Sequence, residues 1–245
     1  MPRFFVAPAA IDGASVTITG EDAHHISYAL RMAVGDEITV TDGEGHAYLC
    51  RLSALDGTDV SAEILSAIDD RVESPLEICL FQAYPKSDKL EFIIQKAVEL
   101  GASAIVPFES ERCIKRPKAD RVAHILERQS RIAAEAAKQC GRAVLPSVSA
   151  PVSFDEMLRL ATSYPLALFA HPDESCRSLK EILSENPGLR RVAVVVGSEG
   201  GFSDEELAKA KAAGLLPTSL GPRVLRCETA PLFLLSALAY EYELS

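Results

Sequence analysis

The sequence lacks the features that mark membrane, secreted and metal-binding proteins. Hydrophobic residues make up 48% of the chain, yet no window reaches the roughly 18 unbroken apolar residues that a membrane span needs. The N-terminal segment MPRFFVAPAA has no long apolar core of the kind found in signal peptides. The six cysteines are scattered, with no CxxC pair and no neighbouring histidine at zinc-ligand spacing. We therefore expect a soluble, cytoplasmic protein with buried free thiols and no metal site.

Phosphate-binding signatures are absent as well. The sequence contains no GxxxxGK[ST] motif and no complete GxGxxG motif. The segment AVVVGSEGGFSDEEL nevertheless predicts a buried strand, a glycine-rich turn and a helix. Ser203 and Glu206 have capping-box spacing, so the helix should begin at about Asp204. Its first turn then holds three carboxylates at the positive end of the helix dipole, which disfavours a phosphate and suits a ligand without one.

Positive charge is scarce overall and concentrated in one segment. The formal net charge of −10 argues against nucleic-acid binding by the whole surface. Residues 111–142 hold nine Lys or Arg against four Asp or Glu, which makes this segment a basic island in an acidic protein. It is either an anion-binding face or an ordinary solvated helix surface, and charge alone does not decide between the two.

The hydrophobic pattern divides the chain into two domains. Residues 1–72 carry short runs of β-branched residues between Gly and Asp turns, with one short helix around EDAHHISYALRM, and predict a small β domain. The polar segment DDRVESP is the predicted linker. In residues 73–245, strands such as LEICLFQAY and RVAVVVG alternate with helices, one of them long and spanning 119–141. Continuous apolar strands imply burial on both faces, so the fold class is α/β with a mostly parallel sheet.

A second loop that enters a helix lies near the C-terminus, in SLGPRVLRCETAPLFLLSALAYEYEL. Thr229 is the predicted N-cap, and Pro231 falls in the first turn, where its missing N–H costs nothing. The helix is apolar nearly all round, so we expect it to be buried in the core or against another subunit. Arg223, Arg226 and Glu228 stand directly before it, and charged groups beside a buried helix favour a functional site.

Together these segments resemble the SPOUT class of RNA methyltransferases. More narrowly, the chain is similar to the bacterial family that methylates N3 of a uridine in 16S ribosomal RNA. The resemblance covers nearly the whole chain and is carried by HHISYALRMAVGD, QAYPKSDKLEFIIQKAVELGA, PFESERC, RIAAEAAKQCGR, GSEGGFSDEEL and LGPRVLRCETAPL. Two positions depart from the family, which usually has proline where this chain has Ser198 and alanine where it has Cys227. Both departures bear on the stiffness of a loop.

The resemblance implies a fold, a cofactor and partners. The fold is a PUA-like, RNA-binding β-barrel at residues 1–72, followed by a trefoil-knotted α/β methyltransferase domain at residues 73–245. The cofactor is S-adenosylmethionine, whose sulfonium group needs no phosphate site. The partners are 16S rRNA of the small ribosomal subunit and a second copy of the chain in a homodimer. The positions that match the family's donor site are Phe169, Ala170, His171, Gly197, Ser198, Glu199, Gly200, Gly201, Leu220, Gly221, Val224, Leu225 and Arg226.

Methylation at N3 of uridine requires the loss of a weakly acidic ring proton. A base, or a cation that stabilises the uracil anion, is therefore expected. The candidate catalytic residues are Arg226, Glu228, Arg112 and Glu135, and the candidate RNA contacts are Arg3, Arg31, Arg112, Arg131, Lys138 and Arg142. Two alternatives stay open. One is a non-catalytic RNA-binding factor that kept the fold, and the other is a phosphate-dependent α/β enzyme, which the missing phosphate loop disfavours.

Overall fold

The computed structural model describes residues 1–56, 58–69, 72–114, 116–172 and 176–244. The chain forms two compact units, one of residues 1–73 with 137–145 and the other of residues 74–136 with 146–245. The sequence analysis places residues 137–145 in the second domain, whereas they pack with the first unit. Residues 70 and 71 of the predicted linker, and residue 115 of the basic island, lie outside the described residues.

The first unit is built around one sheet, whose described strands are β1 (Arg3–Phe5), β2 (Ile11–Asp12), β3 (Ser15–Thr19), β4 (Glu37–Thr41), β5 (Ala47–Leu55) and β6 (Asp59–Ile68). The order is β1-β4-β5-β6-β3-β2. β1 runs parallel to β4, while β4 and β5 form an antiparallel hairpin. Strand β3 buries Val16 and Ile18 and exposes Ser15, Thr17 and Thr19, because successive side chains of a strand point to opposite faces. The short helix α1 (Gly20–His24) continues into a π-helical turn (His25–Ala29).

Glu73 fixes residues 137–145 to the first unit. The guanidinium of Arg142 donates to Glu73 Oε2 at 2.9 Å, and the backbone N–H groups of the next two residues donate to Glu73 Oε1 at 2.9 and 3.0 Å. The ammonium of Lys138 lies 2.8 Å from Asp22 Oδ1. The side chain of Arg142 is only 6% exposed. Arg142, a basic residue of the island, is therefore buried and paired within the first unit.

The second unit is built around a parallel sheet. Its described strands are β7 (Glu77–Ala83), β8 (Ala102–Glu109), β9 (Ser147–Val148), β10 (Val152–Ser153), β11 (Leu166–Ala170), β12 (Arg177–Ser178), β13 (Arg191–Val196) and β14 (Leu216–Ser219). They follow the order β10-β8-β7-β13-β11-β14-β12, with β9 also paired to β8. Every described pair is parallel, which confirms the predicted α/β class. The strand order does not specify how the loops thread, so the knot stays a prediction.

The helices of the second unit are α2 (Lys89–Glu99), α3 (Val122–Cys140, whose last turn belongs to the first unit), α4 (Phe154–Ala161), α5 (Leu179–Ser184), α6 (Asp204–Ala212) and α7 (Thr229–Tyr242). The capping box that precedes α6 is confirmed, since Ser203 accepts from the backbone of Glu206 and the helix begins at Asp204. The N-cap prediction for α7 is wrong. Thr229 is already helical and Glu228 holds the cap position, without a side-chain capping bond, because its carboxylate is engaged by Lys89.

Helix α7 is buried on one side only. Leu234, Leu235 and Leu238 are fully buried, whereas Phe233 is 45% and Tyr240 71% exposed. The sequence predicts that this helix is buried in the core or against another subunit. Within this chain, one face of the helix is buried. The other face presents large apolar groups to its surroundings.

Three further findings concern the described residues as a whole. Among them, no helix is long and apolar enough to cross a membrane. No group of three or more His, Cys, Asp or Glu within these ranges is arranged to hold a metal ion. The cysteines at positions 50, 79, 113 and 227 are buried.

Candidate active site

The loops that follow β11, β13 and β14 line one cavity of about 390 Å³, which we call the loop cavity. The three strands are neighbours in a parallel sheet, so their carboxyl ends meet at the same edge, where open α/β sheets bind ligands. The volume lies within the range of roughly 300–1,000 Å³ that is usual for small-molecule sites. The two glycine-bearing loops at residues 197–201 and 220–226 therefore meet in space, as a shared donor site requires.

Most of the predicted donor residues line the loop cavity: Ala170, His171, Gly197, Ser198, Glu199, Gly200, Gly201, Leu220, Gly221, Val224 and Leu225. Phe169 lies beneath it, fully buried, with its ring 4.2 Å from that of Phe202, which does form part of the lining. Arg226 is outside the lining, and its side chain is 83% exposed. The loop residues are thus gathered as expected, except that Arg226 does not line the cavity they form.

Arg112 packs closely against the glycine loop at residues 197–201. A Cβ at Gly200 would lie 2.9 Å from the Cβ of Arg112 and 3.3 Å from its carbonyl oxygen, so no side chain fits there. The guanidinium of Arg112 also donates to the carbonyl of Gly200 at 3.1 Å. Gly201 adopts a φ of +65°, a left-handed conformation that suits glycine, and donates its N–H to the carbonyl of Ser198 at 2.9 Å. The loop is therefore tightly bent and held by Arg112.

A lysine joins carboxylates from both loops. Lys89 Nζ lies 3.0 Å from Glu199 Oε1 and 3.1 Å from Glu228 Oε2. Burial favours a higher pKa for each glutamate, but hydrogen bonds and the Lys89 ammonium outweigh it, so both pKa values lie below their ordinary range. The two glutamates raise the pKa of Lys89 in return. All three groups are therefore charged at neutral pH.

Cys227 lies within this cluster and remains a thiol. Burial, followed by its hydrogen bond to Glu228, raises the pKa of Cys227 to about 12. Its Sγ donates to Glu228 Oε2 at 3.2 Å and lies 3.9 Å from Lys89 Nζ. Because Cys227 also lines the loop cavity, the cluster borders the ligand-binding space directly.

The cavity wall carries charges of both signs, since Arg112 and Arg223 line it together with two carboxylates. Glu199 and Asp204 contribute carboxylates to the wall, and Asp204 occupies the first turn of α6, where a phosphate would otherwise bind. Ser198 Oγ is buried in the wall without a hydrogen-bond partner among the described residues. A buried hydroxyl of this kind is costly unless something else satisfies it. The two carboxylates can offset the positive charge of a sulfonium. The Ser198 hydroxyl can make one more polar contact with a ligand.

Residues 72–239 match the model of a family described as RNA methyltransferase domain, and residues 18–65 match one described as RNA methyltransferase PUA domain. The chain belongs to the RNA methyltransferase family. The β domain predicted for residues 1–72 contains the segment that matches the PUA model, and the α/β domain coincides with the methyltransferase model. The recognition made from the motifs and the predicted fold class are both confirmed.

Several RNA methyltransferases are similar over almost the full chain. The ribosomal RNA small subunit methyltransferase E of Bacillus subtilis is 34% identical, covering 93% of this chain and 91% of that protein. The enzyme of the same name from Neisseria gonorrhoeae, solved bound to S-adenosylmethionine, has a TM-score of 0.88 at 34% identity and covers 98% of this chain and 97% of that one. A methyltransferase structure from Legionella pneumophila, also with S-adenosylmethionine, has a TM-score of 0.87 at 33% identity and covers 97% and 96%.

The candidate catalytic residues of this RNA methyltransferase fall into two places. Arg112 lines the loop cavity, and Glu228 borders it through the Lys89 cluster. Arg226 Nη1 lies 4.0 Å from Glu228 Oε1, so these two side chains face one another. Glu135 is exposed on α3 and is not part of the cavity wall. The first three remain candidates for the chemistry, and nothing brings Glu135 to the loop cavity.

Some of the candidate RNA contacts are exposed, and others are paired with groups of the protein itself. Arg31, Arg112 and Arg131 are exposed. Arg3 donates to the carbonyl of Arg142 at 3.2 Å, and the Arg142 and Lys138 side chains are paired with Glu73 and Asp22. Contact with RNA stays a prediction for all of them, and it is best supported for the three exposed arginines.

Sequence reasoning missed two residues that shape the loop cavity. Gln82 is fully buried, and its amide donates to the carbonyl of Gly197 at 3.2 Å. A lone amide inside the apolar strand LEICLFQAY is a signal that could have identified it. Lys89 lies in the segment QAYPKSDKLE, which carries the family resemblance, but no local pattern indicates that it reaches residues more than one hundred positions away.

Proposed function

We propose that this chain is an S-adenosylmethionine-dependent methyltransferase of small-subunit ribosomal RNA, and that it methylates N3 of a uridine in 16S rRNA. The observation that carries the proposal is the loop cavity, in which a glycine loop and a second loop meet beside the carboxylates of Glu199 and Asp204. Relatives at 33–34% identity, solved with S-adenosylmethionine, support the choice of donor.

The loop cavity is suited to hold the donor. When bound, S-adenosylmethionine supplies a methyl group activated by a positively charged sulfur. The carboxylates of Glu199 and Asp204 offset that charge, and the glycine loop lets backbone groups approach the ligand closely. Val224 lines the cavity and is 82% exposed, and we propose that the incoming base approaches from this side. Because the donor is already activated, positioning of the two reactants supplies most of the catalysis.

Arg226 is the residue that we assign to the developing negative charge. Uracil becomes anionic as N3 loses its proton, and a guanidinium remains cationic at any pH the enzyme meets. Arg226 lies between Leu225 and Cys227, both of which line the loop cavity, and its exposed side chain faces Glu228. Since the pKa of Glu228 is below its ordinary value, Glu228 is a weak proton acceptor and orients Arg226 instead.

Partners and place of action follow from this function. We propose the small ribosomal subunit as the substrate-bearing particle and the cytoplasm as the place of action. The homodimer that the resemblance implies would cover the apolar face of α7 that carries Phe233 and Tyr240. Sedimentation equilibrium tests the dimer, and a monomer at micromolar concentration would contradict it.

Two measurements test the function. Titration calorimetry should detect binding of S-adenosylmethionine, and mass spectrometry of nucleosides should detect N3-methyluridine in small-subunit rRNA after incubation with protein and donor. Binding of RNA without any heat from the donor would favour the non-catalytic alternative. Donor binding with methylation at another atom would retain the enzyme class and overturn the choice of N3.

The Arg226→Ala variant tests the assigned role. We expect kcat to fall by about 100-fold to 1,000-fold, as for the loss of one group that stabilises a transition-state anion. The affinity for the donor and the melting temperature should stay close to those of the wild type, because Arg226 is exposed and outside the cavity wall. Arg159→Ala is the matched control, since Arg159 is also exposed and paired with a nearby glutamate but lies on α4. Unchanged turnover in Arg226→Ala would remove it from the mechanism.

A further inference from the structure

Three chain segments converge on the ammonium group of Lys89. Glu199 belongs to the glycine loop after β13, Glu228 to the segment that enters α7, and Lys89 itself begins α2. The two carboxylates lie 3.0 and 3.1 Å from the same nitrogen, so they are no more than about 6 Å from one another. Arg226 Nη1 is a second, more distant cation at Glu228, 4.0 Å from Oε1, but it belongs to the same segment as Glu228. Among the described ion pairs, Lys89 is the side chain that contacts a carboxylate of each loop, at 3.0 and 3.1 Å.

The turn before α2 is shaped to bring Lys89 to this position. Ser87 has a φ of +56°, in the left-handed region that non-glycine residues rarely occupy. The backbone N–H of Lys86 donates to both carboxylate oxygens of Glu199, at 3.2 and 3.3 Å. Glu199 thus accepts from a backbone group and a side chain of the same turn. A strained turn that is held by contacts at a ligand loop is typical of a functional position.

We propose that Lys89 is a positioning residue that holds the two donor loops at their binding separation by bridging Glu199 and Glu228. The proposal rests on the proposed function, because the ligand of the loop cavity is taken to be S-adenosylmethionine. Lys89 does not line the cavity, whereas Glu199 and the neighbour of Glu228, Cys227, do. Its effect on the donor is therefore exerted through those residues.

Removal of the ammonium has two opposed electrostatic consequences. The glutamates would repel one another, which would move the loops apart and widen the loop cavity. The same unpaired carboxylates would attract a cationic donor more strongly. The carboxylates are partly exposed, at 27% and 20%, so solvent weakens the attraction across the cavity. Lys89 contacts each carboxylate directly. We therefore expect the loss of these two contacts to outweigh the stronger attraction for the donor.

The test compares Lys89→Met with Lys96→Met. Both lysines lie on α2, both are 33% exposed and both are paired with glutamate, but Lys96 pairs with Glu99 within the helix. We expect Lys89→Met to raise the Kd for S-adenosylmethionine about tenfold with a smaller change in kcat, and Lys96→Met to leave both unchanged. Lys89→Arg should restore most of the affinity, because a guanidinium can bridge two carboxylates. Melting temperatures identify any variant that fails to fold.

S-adenosylhomocysteine, the demethylated product, separates loop geometry from charge. It has no sulfonium, so a change in loop separation should weaken its binding in Lys89→Met by the same factor as that of the donor. A change confined to the donor would mean that Lys89 acts through its field and would overturn the bridge. The double variant Lys89→Met with Glu228→Gln should recover part of the lost affinity, since only one carboxylate then remains charged.

The outcomes also distinguish this inference from the function on which it rests. If the wild-type protein binds neither S-adenosylmethionine nor S-adenosylhomocysteine, the proposed function fails. If the wild type binds both and Lys89→Met binds them as tightly as Lys96→Met does, the function stands and the bridge is wrong. Tighter donor binding in Lys89→Met would likewise reject the bridge, because attraction by the freed carboxylates would then prevail.

Discussion

At the scale of single residues, Gly200 tolerates the least change in the loop cavity. A methyl group there would meet the Cβ and the carbonyl oxygen of Arg112, neither of which is the flexible end of a side chain. The backbone must therefore move to accommodate Gly200→Ala, and the loop that moves forms the cavity wall.

We expect Gly200→Ala to cost about 1–3 kcal/mol of stability, as overpacking usually does, and to weaken donor binding at least tenfold. Gly214→Ala is the control, since Gly214 has a φ of +91° and open space around it, away from the cavity. That control should lose stability through backbone strain but keep its donor affinity. Urea unfolding and calorimetry measure the two effects, and equal donor affinity in both variants would contradict the prediction.

Buried thiols make a second residue-scale prediction. Burial raises the pKa of Cys79 to about 12 and that of Cys50 to about 11, from an ordinary value of 9.0. The protonated thiols therefore stabilise the native state fully below about pH 9, and this contribution is lost as the pH rises towards the native values. For Cys79 the loss between pH 8 and 10.5 should be about 1–2 kcal/mol.

The measurement is the free energy of unfolding in urea at both pH values. Cys79→Ala should lose less stability than the wild type over this interval, although it starts from a lower value because a small cavity forms. Parallel curves for the two proteins would show that Cys79 does not titrate with unfolding in this range.

At the scale of elements, two capping boxes of the same type have different consequences. Glu206 of α6 accepts from the Ser203 N–H at 3.0 Å and also from the distant Glu111 N–H at 2.8 Å. Glu181 of α5 accepts from the Ser178 N–H at 3.0 Å. Glu206 is buried and connects the glycine loop to the segment that carries Arg112, whereas Glu181 is exposed and acts locally.

Glu206→Ala should therefore cost about 2 kcal/mol, since the buried Ser203 N–H and the part-buried Glu111 N–H lose their acceptor. It should also weaken donor binding, because Arg112 and the glycine loop are no longer connected through α6. Glu181→Ala should cost less and leave donor binding unchanged. Thermal unfolding and calorimetry on both variants check this, and a loss of donor affinity in Glu181→Ala would show that the effect is one of general stability.

The elements were predictable where the determining interactions are local. The capping box at Ser203, the hairpin of β4 and β5 and the apolar strand β13 follow from patterns within ten residues. The start of α7 was predicted one residue late, because the backbone N–H groups of Thr229 and Ala230 already donate to the carbonyl of Arg226. Residues 137–145 pack with the first unit through Glu73, a contact between distant parts of the chain that no local pattern indicates. The donor loops themselves were found through family resemblance, and the bridge between them was not.

At the scale of the whole molecule, an acidic protein must bind a polyanion. The net charge of −10 repels RNA at long range, so binding depends on exposed cations at the contact surface itself. The fold has already removed Arg142 and Lys138 from this role by pairing them with Glu73 and Asp22. Arg131 is exposed on α3, and for it the described residues provide no carboxylate partner.

Arg131→Ala should weaken RNA affinity and reduce the slope of log K against log salt concentration by about one, as expected when one phosphate contact is lost. Arg128→Ala, one turn away on α3, is the control for charge, because Arg128 is neutralised by Glu91 at 2.8 Å and should change the slope little. Arg142→Ala is the control for folding and should cost about 1–3 kcal/mol by removing the guanidinium that pairs with Glu73 Oε2, while the salt slope persists. Filter binding across a salt series measures all three. An unaltered slope in Arg131→Ala would mean that this part of α3 is an ordinary solvated surface. RNA would then have to be bound by exposed groups elsewhere, such as Arg31 or Arg112.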